Sequence, residues 1–386
     1  MHQPTSESQR PLALLFVFGT RPEAIKLAPV IRAAQQRPLE FSVRVCVTSQ
    51  HREMLNPYLA LFGIVPDVDL AVMRPGQALS GLVARVLEGL DAVLATDRPD
   101  WLIVQGDTST AMAAALAAFH RGVAVAHVEA GLRTWNLRAP FPEELNRQIV
   151  GRLAALHLAP TESAAAHLRD EGVKNKNIRV TGNTVIDALL EVRDRHRGKA
   201  DLAAQFPCLA GHKLLLVTGH RRESFGQGLE DLCEAIAVAL ARWPDLCVIY
   251  PVHLNPNVRA PVQRILGPAV ASGRLVLAEP VDYVTFVSLL DTCWAVLTDS
   301  GGVQEEAPGL GKPVLCARDT TERPEGVQAG VVKLVGTSQA AILAALAELH
   351  DNPAVYAAMS RPVHPYGDGQ AAPRILDALV RAGSGG

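Results

Sequence analysis

Short runs of apolar residues alternate with amphipathic helical stretches along almost the whole chain of 386 residues. In the first half, the runs predicted to be buried strands are Leu12–Phe18, Ser42–Thr48, Trp101–Gln105, Val123–Val128 and Ala155–Ala159. In the second half they are Lys213–Thr218, Leu246–Pro251, Arg274–Ala278, Ala295–Thr298, Pro313–Cys316 and Val331–Leu334. Apolar strands separated by helices, such as those predicted at 22–36 and 110–120, are typical of parallel sheets covered on both faces.

Two such series in one chain predict an α/β protein with two Rossmann-like, doubly wound domains. Sheets of this kind bind ligands at the carboxyl ends of their strands, so we expect the two domains to face a common cleft. The charged stretch Glu191–Asp201 is the expected seam between the halves, although a solvated helix end would have the same composition. A length of 386 residues is also what two or three average domains would need.

Composition excludes several classes of protein. Hydrophobic residues make up 48% and charged residues 20%, which excludes extensive disorder. The formal net charge of −2 gives no basic excess for binding nucleic acid or an anionic membrane. The apolar run at 11–18 is far shorter than the roughly 20 residues that a membrane span requires. The six cysteines are scattered without a C-x-x-C pair, which predicts reduced thiols in a cytoplasmic protein, with neither disulfides nor a zinc site.

Two acidic residues follow predicted strands directly. Asp107 comes after the strand ending at Gln105, and Glu129 comes after the strand ending at Val128. Successive parallel strands are often neighbours, so both carboxylates are expected at one edge of the sheet, where paired acids favour a catalytic role. Two structural alternatives remain open, since Asp107 could cap the following helix and Glu129 could pair with Arg133.

A third acid, Glu143, opens a predicted helix. Glu143 and Arg147 have the i, i+4 spacing of an ordinary surface ion pair. That explanation suffices locally, and Glu143 becomes a candidate for catalysis only beside the other two acids.

The turn after the first predicted strand reads Gly-Thr-Arg-Pro-Glu from position 19. Thr20 and Glu23 form a capping-box pattern that explains the turn structurally. Arg21 and Lys26 lie beside free N–H groups at a helix start, which also suits a phosphate or a sugar. The turn matches neither a P-loop nor a dinucleotide fingerprint.

Two histidines of the second half follow strands. His220, flanked by arginines, is a candidate general acid or a donor to a leaving phosphate. His253 ends the next predicted strand, and a structural role suffices for it.

The segment from Thr298 to Glu306 has the most specific local pattern. Ser300, Gly301 and Gly302 stand where a strand meets a helix, so that backbone N–H groups can approach a diphosphate closely. Glu306 follows six residues after Ser300, about 9 Å along the helix, and could accept the hydroxyls of a ribose. A glycine-rich turn before an acidic helix start is the structural alternative. The charged segment that follows, residues 318–325, suits either a surface loop or a loop that contacts sugar and phosphate.

Together these motifs resemble the non-hydrolysing UDP-N-acetylglucosamine 2-epimerases. The matching stretches are GTRPEAIKLAPV (19–30), SQHREML (49–55), QGDTSTAMA (105–113), HVEAGLRT (127–134), PFPEELNRQ (140–148), VTGNTVIDAL (180–189), VTGHRRESFG (217–226), YPVHLNPNV (250–258) and TDSGGVQEEAPGLGKPVLCARDTTERPE (298–325). They occur in order through nearly the whole chain.

The resemblance implies a GT-B-like fold whose final helix, expected at 372–382, returns to the first domain. The first domain is therefore predicted to comprise residues 1–187 and 367–386, and the second residues 188–366. The implied reaction interconverts UDP-GlcNAc and UDP-ManNAc by anti elimination of UDP to 2-acetamidoglucal and re-addition, without metal or cofactor. It also implies a homodimer and a supply of UDP-ManNAc for bacterial surface polysaccharide.

The family's functional residues map onto this chain through the same motifs. The acid/base carboxylates are Asp107, Glu129 and Glu143, with His220 assisting at the leaving phosphate. The implied UDP contacts are Arg21, Lys26, Ser300, Gly301, Gly302 and Glu306. Arg147 corresponds to a residue that supports the site.

Some bacterial members bind a second UDP-GlcNAc as an activator. The positions that match this second site are Gln50, His51, Gln77, Arg221 and His253. Gly76 stands where those members carry arginine, which leaves activation by substrate open.

Three other functions share parts of this pattern. A GT-B glycosyltransferase would have the same UDP-binding turn without needing three carboxylates. A hydrolysing epimerase often carries a fused kinase domain, and a silent nucleotide-sugar sensor would have lost the acid/base residues.

Overall fold

The computed structural model describes residues 10–49, 52–74, 76–198, 201–219 and 226–383, with the backbone alone at 52–54. Its described residues form two compact α/β units. The first extends to Ala188 and resumes at Gly367, and the second comprises Leu189–Tyr366. The prediction of an α/β protein with two Rossmann-like parts is confirmed.

Elements are numbered in chain order. The strands of the first unit are β1 (Leu12–Phe18), β2 (Phe41–Val47), β3 (Val68–Asp69), β4 (Trp101–Gln105), β5 (Ala124–Val128), β6 (Leu156–Ala159) and β7 (Ile178–Val180). Its helices are α1 (Arg21–Gln35), α2 (Arg52–Phe62), α3 (Leu79–Thr96), α4 (Ser109–His120), α5 (Glu143–Leu153), α6 (Glu162–Asp170) and α16 (Ala371–Gly383), while α7 (Thr184–His196) continues into the second unit.

The described strands of the first unit form one parallel sheet in the order β3-β2-β1-β4-β5-β6-β7. The order reverses between β1 and β4, the switch point where sheets of this kind bind ligands. Strands β1 and β4 are buried through most of their length because helices cover both faces. On one face, α3 buries four residues spaced by four, Leu82, Val86, Leu90 and Leu94, against the alanine-rich helix α4.

The second unit repeats this plan. Its strands are β8 (Lys213–Thr218), β9 (Leu246–Pro251), β10 (Leu275–Ala278), β11 (Ala295–Thr298), β12 (Val314–Cys316) and β13 (Val332–Leu334). Its helices are α8 (Leu202–Gln205), α9 (Gln227–Arg242), α10 (Pro256–Val270), α11 (Tyr283–Thr292), α12 (Gly301–Gly309), α13 (Pro324–Gln328), α14 (Gln339–Asp351) and α15 (Pro353–Met359). The described strands form a parallel sheet in the order β10-β9-β8-β11-β12-β13, with the switch point between β8 and β11.

The predicted strands are confirmed to within one residue at each end. Among the described strands, the two that were not predicted are the short strands β3 and β7, which are too brief to show a pattern. Helix α16 lies in the first unit, where Asp187 accepts the backbone N–H of Ala371 and Ala372 at 3.3 and 2.8 Å. All six cysteines are buried, and each is a free thiol.

Candidate active site

The carboxyl edge of the first sheet gathers the acidic candidates around the switch point. Asp107 follows β4, Glu129 follows β5, and the turn at Gly19 follows β1. The turn that carries Asp107 touches the one that carries Glu129, because Gly106 donates its N–H to the carbonyl of Val128 at 3.0 Å. The prediction that Asp107 and Glu129 lie at the same edge of the sheet is therefore confirmed.

Glu129 is held by three side chains from distant parts of the sequence. The ammonium of Lys26 lies 2.6 and 2.7 Å from its two carboxylate oxygens. Gln105 donates to Oε2, and Asn183 donates to Oε1 at 3.3 Å. Glu129 itself has a φ of 62°, a left-handed backbone conformation that costs free energy in a residue with a Cβ. Such a residue is kept in place by its surroundings, so the direction of this carboxylate is fixed.

The alternative pairing of Glu129 with Arg133 does not occur. Arg133 instead binds Glu171, with Nε to Oε1 at 2.7 Å and Nη2 to Oε2 at 2.8 Å. Arg133 is thus engaged in a bidentate ion pair with Glu171, and the cation that pairs with Glu129 is Lys26.

Asp107 pairs with Arg147 of α5. The guanidinium donates through Nε at 3.1 Å and through Nη2 to the same oxygen of Asp107. Asn146 donates its side-chain amide to the carbonyl of Asp107 at 2.9 Å. The other alternative, that Asp107 caps α4, is wrong because Thr108 is the N-cap and accepts from the N–H of Ala111 at 3.0 Å.

The adjacent glutamates of α5 have different environments. Glu144 is fully buried, and its carboxylate accepts the backbone N–H of Thr134 at 2.9 Å and Nη1 of Arg147 at 3.1 Å. Burial alone would raise the pKa of Glu144, but these hydrogen bonds and the Arg147 charge lower it below its ordinary value. Glu143 is half-buried, and within the described residues it forms neither an ion pair nor a hydrogen bond. The expected Glu143–Arg147 pair is therefore absent from the described structure.

The first turn has the predicted capping box. Glu23 accepts the backbone N–H groups of Gly19 and Thr20 at 3.0 and 2.8 Å. Its other oxygen accepts the hydroxyl of Thr108 at 2.7 Å, which ties α1 to the start of α4. Burial raises the pKa of Glu23 above its ordinary value. Arg21, at the exposed first turn of α1, lies over the ring of Tyr58 at 5.7 Å.

The second unit presents a helix start at its switch point. Ser300 is the N-cap of α12, and its N–H binds the hydroxyl of Thr298 at 2.9 Å. Among the described residues, a Cβ added at Gly302 would have one neighbour within 4 Å, Oγ of Ser300 at 3.9 Å, so the described structure leaves this face of the turn open. Glu306 is buried in the second turn of α12, where the hydroxyl of Tyr283 lies 3.5 Å from its Oε1.

Arg323, from the charged segment 318–325 whose role the sequence left open, contacts this turn. Its Nε lies 2.6 Å from Oε1 of Glu305, and its guanidinium packs on the start of α12. A Cβ at Gly301 would lie 2.5 Å from Nη1 of Arg323, so only glycine allows this close contact. The charged segment 318–325 is thus tied to α12 by a largely buried ion pair.

The sequence analysis also missed Gln105 and Asn183 as partners of Glu129. The one signal for Gln105 is a polar residue at the end of an otherwise apolar strand. No local pattern marks Asn183.

Several residues expected at the second nucleotide-sugar site are not described. Gln50, His51 and Arg221 lie outside the described residues, as does the catalytic candidate His220. Gln77 is described, and it accepts the N–H of Arg74 at 3.1 Å. His253 is exposed just after β9, and its Nδ1 accepts the N–H of Asn255 at 3.1 Å.

The described residues lack two further features. They contain no group of three or more His, Cys, Asp and Glu side chains placed to hold a metal ion. They also contain no helix with the length and apolar character needed to cross a membrane.

The chain is similar in sequence to proteins of one family. A sequence model of the family described as UDP-N-acetylglucosamine 2-epimerase matches residues 32–380. The UDP-N-acetylglucosamine 2-epimerase of Salmonella typhimurium is 53% identical over 373 residues, which cover 95% of this chain and 98% of that protein.

Solved structures of UDP-GlcNAc 2-epimerases have a similar fold. The UDP-GlcNAc 2-epimerase from Neisseria meningitidis bound to UDP-GlcNAc has a TM-score of 0.89 and 43% identity, covering 96% of this chain and 100% of that one. The Methanocaldococcus jannaschii enzyme in complex with UDP-GlcNAc and UDP has a TM-score of 0.79 and 30% identity, with the same coverage of both chains. These likenesses confirm the GT-B-like fold class, and the chain belongs to the UDP-N-acetylglucosamine 2-epimerase family.

Proposed function

We propose that the protein interconverts UDP-GlcNAc and UDP-ManNAc by anti elimination of UDP, a 2-acetamidoglucal intermediate and re-addition of UDP. The observation that supports this most is the acidic cluster at the carboxyl edge of the first sheet. There, Glu129 and Asp107 are each fixed by a cation, Lys26 and Arg147 respectively. Glu143 opens α5, the helix that supplies Arg147.

The chemistry requires several acid/base groups. In the elimination, a base removes the C2 proton, the C2–H electron pair forms the C1–C2 double bond, and UDP leaves with the C1–O electron pair. Re-addition forms the C1–O bond again and delivers a proton to the opposite face of C2. Groups on both faces are therefore needed, and we assign this work to Asp107, Glu129 and Glu143.

UDP binding is assigned mainly to the second unit. The hydroxyl of Ser300 and the N–H groups at Gly301 and Gly302 suit the diphosphate, because a helix start attracts anions. Glu306 would accept the ribose hydroxyls. From the first unit, Arg21 and Lys26 would add positive charge toward the departing diphosphate, with His220 as the assisting acid.

The experiment that tests this function is incubation of the protein with UDP-GlcNAc in D₂O, without added cofactor, followed by NMR. We expect deuterium at C2 of UDP-ManNAc and, on reversal, of UDP-GlcNAc, because carboxylic acids exchange with solvent between turnovers. Epimerised product that retains protium at C2 would exclude elimination and re-addition. The absence of any epimerised product would exclude the function itself.

The adjacent glutamates of α5 offer a matched pair of variants. Glu143→Gln should lower kcat by about 10²–10⁴ and leave the free energy of unfolding unchanged within about 0.5 kcal/mol. Glu144→Gln should instead lower the free energy of unfolding by about 1–3 kcal/mol, because its buried charge-assisted hydrogen bonds are weakened. Urea titrations and epimerisation assays on both variants measure these effects. A stable Glu143→Gln enzyme with normal turnover would contradict the assignment.

Glu306→Ala should weaken substrate binding more than it slows chemistry. The ribose hydroxyls do not change between ground and transition states, so the lost contacts should raise KM by roughly 10-fold to 100-fold and leave kcat largely unchanged. The surface variant Glu348→Ala, which removes a glutamate paired with Lys333, is the control. A collapse of kcat at unchanged UDP affinity would overturn the role of Glu306.

The proposal extends to the oligomeric state, the fate of the product and the location of the protein. A homodimer and a supply of UDP-ManNAc for bacterial surface polysaccharide are supported by the family resemblance. A cytoplasmic location is supported by the six buried free thiols. Light scattering on the purified protein tests the dimer directly.

A further inference from the structure

A second concave site lies in the first unit, at the amino-terminal edge of the sheet. This pocket has a volume of about 710 Å³ and is lined at the starts of β4, β6 and β7, among other segments. Strand β4 begins at Trp101 in the pocket and ends at Gln105, which binds Glu129. Four residues at about 3.3 Å each separate the two places by about 13 Å. The pocket is thus distinct from the candidate active site.

The lining of this pocket is strongly basic. It includes five cationic side chains and no aspartate or glutamate among the described residues, the cations being Arg152, Lys174, Lys176, Arg179 and Arg381. The chain as a whole has two more acidic than basic side chains, so this cluster departs from the average surface. We call it the basic pocket.

Nearby acid offsets the charge of the basic pocket only in part. Glu171 precedes Gly172 of the lining and interacts with the charge of Arg152, but its two oxygens form their ion pair with Arg133 at 2.7 and 2.8 Å. Within the described part of the chain, none of the five cations forms an ion pair. Like charges held together without a counter-ion repel one another, and a bound anion would relieve this repulsion.

Two of the cations are held in position by backbone carbonyls. Nη1 of Arg179 donates to the carbonyls of Lys176 and Ile178 at 3.0 and 2.7 Å. Nη1 of Arg152 donates to the carbonyl of Glu171 at 2.9 Å. A guanidinium has five N–H donors, so each of these arginines keeps donors for a ligand. Fixed donors lose little entropy on binding.

A buried polar group completes the basic pocket. His157 lines it and is only 1% exposed; its ring lies beside the backbone of Ala154, and its Nδ1 has no well-aligned hydrogen-bond partner within the described residues. Native structures satisfy nearly all buried polar atoms, so an orphan here is consistent with a ligand or an ordered molecule at the site.

We propose that the basic pocket binds a small, multiply phosphorylated anion. Its volume falls within the range of small-molecule sites, and its concave shape with several converging cations suits a compact polyphosphate. A nucleic acid would need an extended basic face, and the net charge of −2 argues against one. The proposal does not depend on the epimerase activity, because it uses no residue assigned to that reaction.

The test measures binding to the full-length protein by isothermal titration calorimetry. With the active site saturated by UDP, inorganic triphosphate should bind as one further equivalent. Lys174→Ala/Arg179→Ala should weaken this binding at least about 10-fold, while UDP affinity and epimerisation stay unchanged. The control Lys213→Ala/Lys333→Ala removes two exposed cations of the second unit and should leave triphosphate binding intact.

Further titrations separate the sources of the phosphate. If UDP itself occupies the pocket, it should instead bind, in the absence of triphosphate, as a second equivalent that the pocket variant abolishes while the active-site equivalent remains. That outcome would identify a nucleotide as the occupant and support the proposal. Triphosphate affinity that is equal in the wild type and the pocket variant, or lowered equally by the control, would overturn it. Pocket-dependent binding of an RNA oligonucleotide without binding of triphosphate would also overturn it.

Discussion

Replacement of Asp107 by asparagine should leave UDP binding intact and lower the rate of epimerisation by about 10²–10⁴, the usual contribution of one acid/base group. Asparagine has nearly the same shape and keeps an oxygen that can accept from Arg147. The helix start does not depend on Asp107, because Thr108 caps α4. The loss should therefore be in proton transfer and not in folding.

The matched control is Asp91→Asn. Asp91 is an exposed partner of Arg121, at 2.5 Å, so this variant makes the same chemical change in a surface ion pair. Its turnover should equal that of the wild type. If Asp107→Asn also turns over at the wild-type rate with its fold intact, Asp107 is a structural partner of Arg147 and has no part in the reaction.

A second large effect should appear as loss of stability in mild acid. His127 and His157 are paired across β5 and β6, and both are about 1% exposed. Burial lowers the pKa of His127 to about 3 and that of His157 to about 4, from an ordinary value of 6.5. The hydrogen bond of His127 to the carbonyl of Gly106, at 2.7 Å, opposes this shift only in part.

These depressed pKa values determine the sign of the effect. Between pH 6.5 and about 4 the unfolded chain binds protons that the folded chain does not, so stability falls as the pH falls. At pH 5.0 each histidine should cost about 2 kcal/mol relative to pH 7.5. Burial raises the pKa of Asp187 to about 6, which acts in the opposite direction and offsets about 1 kcal/mol. The net loss from these three groups is about 3 kcal/mol, a large part of the stability of a typical domain.

Urea titrations at pH 7.5 and 5.0 measure this loss, and His157→Gln provides the comparison. The variant should be less stable than the wild type at pH 7.5 because packing changes. Its further loss between pH 7.5 and 5.0 should, however, be smaller than that of the wild type by about 2 kcal/mol. Equal losses of stability in both proteins would show that the pKa of His157 is the same in the folded and unfolded states.

The sequence alone determined the architecture and the positions of the candidate catalytic residues along the chain. Apolar runs such as Leu12–Phe18 and Trp101–Gln105 correspond to β1 and β4 at both ends, because a strand buried on both faces requires a continuous apolar segment. The acids Asp107 and Glu129 could be placed at one sheet edge because parallel strands end on the same side. The cap at Glu23 was predictable because its partners lie within four residues.

Only the tertiary structure decided which charges pair. Local spacing allowed Glu129 with Arg133 and Glu143 with Arg147, but Arg133 binds Glu171 and Arg147 binds Asp107. These partners lie 38 and 40 positions apart, and Lys26 lies 103 positions from Glu129. The physical reason is that an exposed pair on one helix gains only a few tenths of a kcal/mol. A buried carboxylate left without a cation is strongly destabilising, so the fold has to bring one to it, and strand order, which the local sequence does not encode, decides which cation that is.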